Sequence, residues 1–143
     1  MDVDQFFQWE LKVEANKEQN FKILEAFEKW LLEDQEIQKE CESHLINAHV
    51  FINTFLITDD VVPIEEGFKL VGLYFGDYFI QNAPIANSET LLQNLKSIEL
   101  LYTYLNAVTM VSDQDHAELT NTITMGKQSW LERCDIYHSG CEF

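Results

Sequence analysis

The scarcity of turn-forming residues is the strongest constraint on how this chain can fold. Its 143 residues include five glycines and two prolines. A β-sandwich or β-barrel needs a turn about every 8–12 residues, and such turns rely largely on these two residue types. The sequence therefore favours long helices over many short strands. With 46% hydrophobic and 24% charged residues, the composition is typical of a packed globular protein rather than a disordered one.

Five segments carry apolar residues at intervals of three and four, the period of an amphipathic helix. We expect five helices of roughly 15 to 22 residues, joined by short loops. Their inward-facing residues, helix by helix, are Phe21, Leu24, Phe27 and Leu31; Ile37, Cys41, Leu45, Ala48, Ile52 and Phe55; Phe68, Val71, Phe75, Tyr78 and Phe79; Leu91, Leu95, Ile98, Tyr102 and Leu105; and Leu119, Ile123, Trp130, Cys134 and Tyr137.

Capping residues mark where these helices begin. Asp34 is a suitable N-cap for the second helix, and Pro63 followed by two glutamates opens the third. The fourth helix begins at Ser88, and residues 112–115 form a capping-box variant before the last, which ends near residues 139–140.

Two pairs of residues inside the helices predict specific packing. Gly72 and Gly76 lie one helical turn apart and should leave a groove where another helix approaches closely. Asn53 and Asp77 are polar residues in apolar surroundings, and we expect each to make a buried hydrogen bond or cap that fixes helix register.

Residues 1–20 are expected to form an N-terminal helix or arm that precedes a helical domain over residues 21–143. Their apolar residues do not keep to one narrow stripe. Two interpretations stay open: a helix docked on the rest of the chain, or an arm that packs on a neighbouring chain in a homo-oligomer. The predicted fold class is all-α, a compact single-domain bundle of about five helices plus this segment. The apolar residues in question are Phe6, Phe7, Trp9, Leu11 and Val13.

Charge restricts the class of partner. Nine basic against 25 acidic side chains give a formal net charge of −16. Nucleic acids and anionic membranes both recruit clusters of lysine and arginine, so direct binding to either is disfavoured. The excess acid serves solubility, meets a basic partner, mimics nucleic acid or reflects a halophilic origin. Composition leaves these alternatives open.

The sequence favours a cytoplasmic location. No apolar run approaches the ~20 residues that span a bilayer, and the N-terminus lacks the pattern of a signal peptide. Cys41, Cys134 and Cys141 form an odd set without the density of a disulfide scaffold, which agrees with a reducing compartment.

One constellation could hold a metal: Cys41-x-x-His44 together with Cys134, His138 and Cys141. Because Cys41 and Cys134 fall on the apolar stripes of their helices, we interpret them as buried structural cysteines and predict neither a metal site nor a cofactor. The chain also lacks a Gly-rich phosphate loop, a Gly-x-Ser-x-Gly elbow and a His-Glu-x-x-His helix. We therefore predict no catalytic residue and expect the protein not to be an enzyme.

Residues 21–137 carry motifs that resemble the SAM-like core-binding domain of tyrosine recombinases, and more closely stand-alone bacterial proteins built on that module. The resemblance implies a helical clamp that closes on DNA, but the matching helices here are acidic, and the sequence stops where the catalytic domain would begin. The motifs are Phe27-x-x-Trp30-Leu31; His44 and Phe51-Ile52-Asn53-x-Phe55-Leu56; Phe75-Gly76-Asp77-x-Phe79-Ile80; Ser88 through Ser97-Ile98 to Tyr102; and Trp130-Leu131 with Tyr137.

Two functional hypotheses follow from these observations. The first is a non-catalytic, acidic helical interaction module that acts through protein–protein contacts. The alternative is a DNA-associated accessory protein that retains a recombinase-like clamp. The DNA-associated hypothesis requires the basic residues to gather on one face, whereas scattered basic residues favour the protein-interaction hypothesis. The residues that decide this are Lys22, Lys29, Lys39, Lys69, Lys96, Lys127 and Arg133.

Overall fold

The computed structural model of the chain describes residues 2–83 and 86–140, with side chains up to residue 136 in the last helix. The predicted all-α class is confirmed, since the described residues contain helices and no strand. The elements are α1 (Val3–Leu32), α2 (Gln35–Gln38), α3 (Cys41–Val50), a π-helical turn (Phe51–Phe55), a 3₁₀ segment (Ile64–Leu70), α4 (Val71–Leu73), a second π-helical turn (Tyr74–Tyr78), α5 (Phe79–Asn82), α6 (Ser88–Ala107) and α7 (Asp113–Gly140).

The chain divides into two compact units, Met1–Gly67 and Phe68–Phe143. We call them the N-terminal and the C-terminal unit and describe each by itself. Helices α1 to α3 and the first π-helical turn belong to the N-terminal unit. Helices α4 to α7 and the second π-helical turn belong to the C-terminal unit.

Helix α1 runs without a break through residues 20 and 21, where the sequence suggested a boundary. Asp2 caps it by accepting a hydrogen bond from the Gln5 backbone N–H at 2.8 Å, and the Gln5 side chain accepts one from the Asp2 N–H at 3.0 Å. The buried face keeps one phase across residue 20, so the two halves form one amphipathic helix. Its members are Val13, Asn16, Asn20, Ile23, Phe27 and Leu31.

The predicted second helix is divided into three parts. Asp34 is its N-cap, as expected, and its carboxylate accepts hydrogen bonds from the backbone N–H groups of Glu36 and Ile37. The chain turns after α2, and α3 then leads into the first π-helical turn, where the Leu56 N–H donates to the Phe51 carbonyl at 3.0 Å. A π turn holds one extra residue, which shifts the helix phase. Most of the predicted stripe nevertheless stays inward, with Cys41, Ala48, Ile52 and Phe55 buried. Its other two members, Ile37 and Leu45, are half-buried.

The segment predicted as the third helix is likewise divided into the 3₁₀ segment, α4, the second π-helical turn and α5. The predicted inward residues Phe68, Val71, Phe75 and Phe79 are buried, and Tyr78 is half-buried.

The predicted close approach at Gly76 is confirmed in the C-terminal unit. A Cβ atom on Gly76 would lie 3.3 Å from Nε1 of Trp130, and Arg133 Nη1 donates to the Gly76 carbonyl at 3.0 Å. At Gly72 the nearest atom to a Cβ would be Cγ2 of Thr122 at 3.7 Å, an ordinary contact. Gly76 therefore lets α7 approach closely, whereas Gly72 leaves more room.

Helices α6 and α7 complete this unit. Helix α6 begins at Ser88, as predicted, with Asn87 as its N-cap. At the start of α7 the Ser112 hydroxyl accepts a hydrogen bond from the Asp115 N–H at 3.1 Å. The predicted inward residues of both helices are buried, apart from Tyr137, whose side chain lies outside the described residues.

Candidate protein-interaction surface

The cysteines of the constellation considered for a metal are buried, as predicted for structural cysteines. Cys41 lies in the N-terminal unit and Cys134 in the C-terminal unit. His44 is also buried, with Nε2 at 3.6 Å from a carboxylate oxygen of Glu40. The His138 side chain and Cys141 lie outside the described residues. Within the described part of the chain, no group of three or more His, Cys, Asp or Glu residues is placed to hold a metal ion.

The surroundings of both thiols keep them protonated at neutral pH. Burial raises the pKa of Cys41, and the nearby Glu28 carboxylate raises it further. Burial and the Asp135 carboxylate raise the pKa of Cys134 in the same way. Each thiol is therefore mainly in the less nucleophilic protonated form at neutral pH, and a metal ion would have to displace that proton to bind.

A chain of polar side chains connects α1 to the first π-helical turn. Asn20 Nδ2 donates to Oδ1 of Asn53 at 2.9 Å, and the Asn53 amide lies 2.9 Å from Nδ1 of the exposed His49. Asn53 thus makes a hydrogen bond to another helix, as expected, although the bond is part-buried rather than buried. The same expectation is wrong for Asp77, which is exposed and accepts a hydrogen bond from Gln81 Nε2 at 2.7 Å on the surface.

The aromatic cluster at the N-terminus is part of α1, and much of it faces solvent. Val13 is buried and Trp9 half-buried, so one side of the segment packs on its own unit. Phe6 and Phe7 are exposed and lie with ring centroids 6.0 Å apart, and Leu11 is 65% exposed. The docked-helix interpretation thus describes one side of the segment, whereas its other side is apolar and exposed. The arm on a neighbouring chain stays a prediction.

Two grooves open along α1. The first, of about 710 Å³, is lined by α1 residues from Phe7 to Lys17 and by Ile57. The second, of about 340 Å³, lies between α1 and α3, where Phe21 and Leu24 face Leu45 and Ile46. Phe21 is 64% exposed, although its position in the sequence pattern predicted burial.

One face of α1 lines both grooves. Its residues recur at intervals of three and four, so they share a side of the helix. We call this face the α1 strip, and it extends over about 30 Å at 1.5 Å per residue. The α1 strip consists of Phe7, Glu10, Glu14, Lys17, Phe21, Leu24 and Glu28.

Sequence reasoning missed this surface because it assigned Phe21 to the core. A signal was present: Phe7, Glu14, Phe21 and Glu28 alternate ring and carboxylate at intervals of seven. Asn16 and Asn20 occupy the buried face instead, and the placement of Asn20 depends on Asn53, 33 residues away.

The N-terminal unit carries most of the negative charge. It has 16 acidic and five basic side chains, against nine and four in the C-terminal unit. Along α1 and its C-cap residue Glu33, the residues Glu18, Lys22, Glu25, Lys29 and Glu33 alternate in charge at intervals of three and four. These lysines therefore do not form an uninterrupted basic face.

Comparisons with known proteins found no matching family model, no matching curated protein and no matching solved structure. Along the described residues, no helix has both the length and the apolar character needed to cross a bilayer. The α1 strip is thus the candidate site, and its chemistry is that of a surface with apolar anchors and carboxylates.

Proposed function

We propose that the protein is a non-catalytic, acidic helical interaction module that binds another protein through the N-terminal unit. The observation that carries the proposal is the α1 strip, where Phe7 and Phe21 are exposed beside grooves on one helix face. Grooves that accept apolar anchors, with charged residues at the rim, are a common form of protein recognition surface.

The first turns of α1 support this interpretation. In residues 3–12 every side chain except the half-buried Trp9 is exposed. Because most helix stability comes from packing of an apolar face, these first turns of the 30-residue helix gain little from the unit that carries them. A partner seated on the first groove would supply that packing and would remove Phe7 and Leu11 from water.

The DNA-associated alternative gains no support from α1, where lysines alternate with glutamates. Phosphate contacts require basic side chains that are free to displace counterions from the nucleic acid. Protein contact therefore remains the function that we propose.

Site-specific photo-crosslinking in the native host tests this function. A photoreactive phenylalanine analogue would replace Phe21 on the α1 strip or, as a control, Met125 on the exposed side of α7, which is 77% exposed. We expect a discrete crosslinked protein from position 21 and none from position 125. The captured protein would be identified by mass spectrometry and purified.

Titration of the purified partner then decides the proposal. We expect Phe21→Ala to weaken binding at least about tenfold, as for an anchor residue, and Met125→Ala to leave it unchanged. Equal weakening by both substitutions, or no binding of the purified partner, would contradict the proposed function.

A further inference from the structure

We propose that the partner binds as a basic helix that lies lengthwise along the α1 strip, with arginine or lysine side chains between its apolar anchors on the same face. This inference rests on the proposed function and specifies the class of partner. It is argued from the register of the α1 strip and from the charge of the N-terminal unit.

The register of the α1 strip indicates a helical partner. Phe7, Glu14, Phe21 and Glu28 alternate aromatic ring and carboxylate at intervals of seven residues. Two helices that pack nearly parallel present matching side chains to each other at this interval. A partner helix would therefore meet a ring, a carboxylate, a ring and a carboxylate in turn.

The grooves provide the apolar contacts for such a helix. Phe7 and Ile57 both line the first groove. The second has two apolar walls, with Phe21 on α1 and Ile46, which is 55% exposed, on α3. Leucine-sized side chains of the partner would insert here and be removed from water.

The carboxylates specify the charge of the partner. Glu10, Glu14 and Glu28 are exposed on the α1 strip against the single cation Lys17. The N-terminal unit as a whole has 16 acidic and five basic side chains. A basic helix would be attracted over the long range and would place cations opposite these carboxylates, whereas phospholipid headgroups and nucleic acid would be repelled.

A second copy of this chain fits the α1 strip poorly. In a parallel pair each carboxylate meets its own equivalent. In an antiparallel pair centred on the strip, Phe7 lies opposite Glu28 and Phe21 opposite Glu14. A shift of one heptad brings Phe7 opposite Phe21 but sets Glu14 against Glu14 of the second copy. Each arrangement opposes a carboxylate with a ring or with another carboxylate, and like charges in contact disfavour association.

Two synthetic peptides of the same composition test the inference. Each has about 22 residues, the length of the α1 strip. In the first, leucine and arginine alternate at seven-residue intervals on one face; in the second, all leucines occupy one face and all arginines the opposite face. Fluorescence anisotropy at about 0.15 M salt, where the screening length is ~8 Å, measures binding to the full chain. We expect the first peptide to bind at least about tenfold more tightly.

Two protein variants with the same charge change locate the binding face. Glu14→Lys with Glu28→Lys reverses two carboxylates 14 residues apart on α1. Glu118→Lys with Glu132→Lys does the same for two exposed glutamates 14 residues apart on α7. We expect the first variant to lose binding of the alternating peptide by at least about tenfold and the second to retain it.

The outcomes separate this inference from the proposed function. Equal affinity of the two peptides, or equal effects of the two variants, would reduce the interaction to attraction between opposite charges and overturn the inference. Concentration-dependent dimerisation of the protein in sedimentation, abolished by Phe21→Ala, would show that a second copy occupies the strip and would overturn it as well. If the peptides do not bind while the crosslinked partner depends on Phe21, the proposed function stands and the basic-helix class is wrong.

Discussion

The two longest helices, α1 and α7, use their solvent-facing sides differently. On α7 the hydroxyl groups of Thr120, Thr122 and Thr124 donate to carbonyls four residues earlier in the same helix, at 2.9 to 3.0 Å. On α1 the exposed side presents Phe7 and Phe21. These three hydroxyls of α7 are thus satisfied within the helix, although Met125 and Ile136 are also exposed on it, whereas the exposed rings of α1 line grooves.

On their inner sides, α7 buries an aromatic ring, whereas α1 buries polar side chains. Trp130 of α7 is buried against the Phe75 ring, with centroids 5.6 Å apart. On α1, Asn16 and Asn20 take positions that apolar residues would ordinarily fill. Among the described residues, Asn16 Nδ2 and Asn20 Oδ1 are buried without a hydrogen-bond partner. Burial of unpartnered polar atoms is unfavourable, so these two asparagines lower the free energy of unfolding of the N-terminal unit. The rings of Phe7 and Phe21 on the same helix remain exposed.

The largest effect that we expect in this comparison is on Trp130. Trp130→Ala should lower the free energy of unfolding by about 3–5 kcal/mol, because it removes a buried aromatic side chain and leaves a cavity. Trp9→Ala is the matched change in the N-terminal unit, and it should cost clearly less because Trp9 is only half-buried. Urea unfolding followed by circular dichroism measures both. Equal losses would remove the distinction between the two helices.

Gly126→Ala tests the packing of the Trp130 ring by adding a methyl group beside it instead of removing the ring. A Cβ at Gly126 would overlap the Trp130 ring. Alanine is favoured over glycine in a helix by roughly 0.5–1 kcal/mol, but overpacking a core typically costs about 1–3 kcal/mol. We expect net destabilisation, and a more stable variant would show that the ring moves aside freely.

Asn20→Ala should have the next largest effect. It removes the hydrogen bond that the half-buried Asn53 Oδ1 accepts at 2.9 Å, a loss of about 0.5–1.5 kcal/mol, which is partly offset because the unpartnered Asn20 Oδ1 is removed with it. A double-mutant cycle with Asn53→Ala measures the coupling between the two residues. Additive effects would mean that the hydrogen bond contributes nothing to the stability of the N-terminal unit.

These examples show where sequence reasoning succeeded and where it stopped. Asp34 as an N-cap and Gly76 as a contact point were predictable, because capping depends on local chemistry and the Gly72–Gly76 spacing on helix geometry. The exposure of Phe21 was not predictable, because the apolar pattern places only hydrophobic residues in the core. The buried face of α1 instead includes the polar Asn20, whose position depends on its hydrogen bond to Asn53. The π-helical turns also escaped prediction, since no local residue pattern specified their extra residue.

A stabilising change is expected at the end of α6. The Met110 N–H donates to the Leu105 carbonyl and the Thr109 N–H to the Asn106 carbonyl, which forms a Schellman motif with Thr109 at φ 63°. A β-branched residue is strained in this left-handed conformation, and glycine is not. Thr109→Gly should raise the free energy of unfolding by about 1 kcal/mol. Thr109→Ala keeps the strain, so an equal gain from alanine would contradict this explanation.

The pKa values of Cys41 and Cys134 allow the two units to be followed separately, because each unit contains one of these thiols. Because burial and Glu28 raise the pKa of Cys41, and burial and Asp135 that of Cys134, both thiols keep their protons to higher pH in the folded than in the unfolded chain. Their contribution to stability is therefore complete below the unfolded pKa of about 8.5 and is lost as pH rises through the folded pKa.

The Glu28→Gln variant tests this assignment on the α1 strip. It should lower the pKa of Cys41 and leave that of Cys134 unchanged, because it removes only the carboxylate near Cys41. Iodoacetamide labelling across alkaline pH, resolved by peptide mapping, measures the two thiols separately. Parallel shifts in both would indicate general loosening of the protein.

The smallest expected effect is on DNA, for which we predict no measurable duplex binding at about 0.15 M salt. A protein that contacts 6–10 phosphates gains several orders of magnitude of affinity from these contacts, because its lysines and arginines displace counterions. This chain has nine such residues and 25 side-chain carboxylates. At a screening length of ~8 Å, salt only partly screens the repulsion between these carboxylates and the phosphates. The C-terminal unit is the less acidic of the two, so any residual binding should depend on Lys96, Lys127 or Arg133 rather than on α1. Sub-micromolar binding that weakens as salt rises, and that Lys96→Glu with Lys127→Glu abolishes, would make the DNA-associated alternative the better account of this protein.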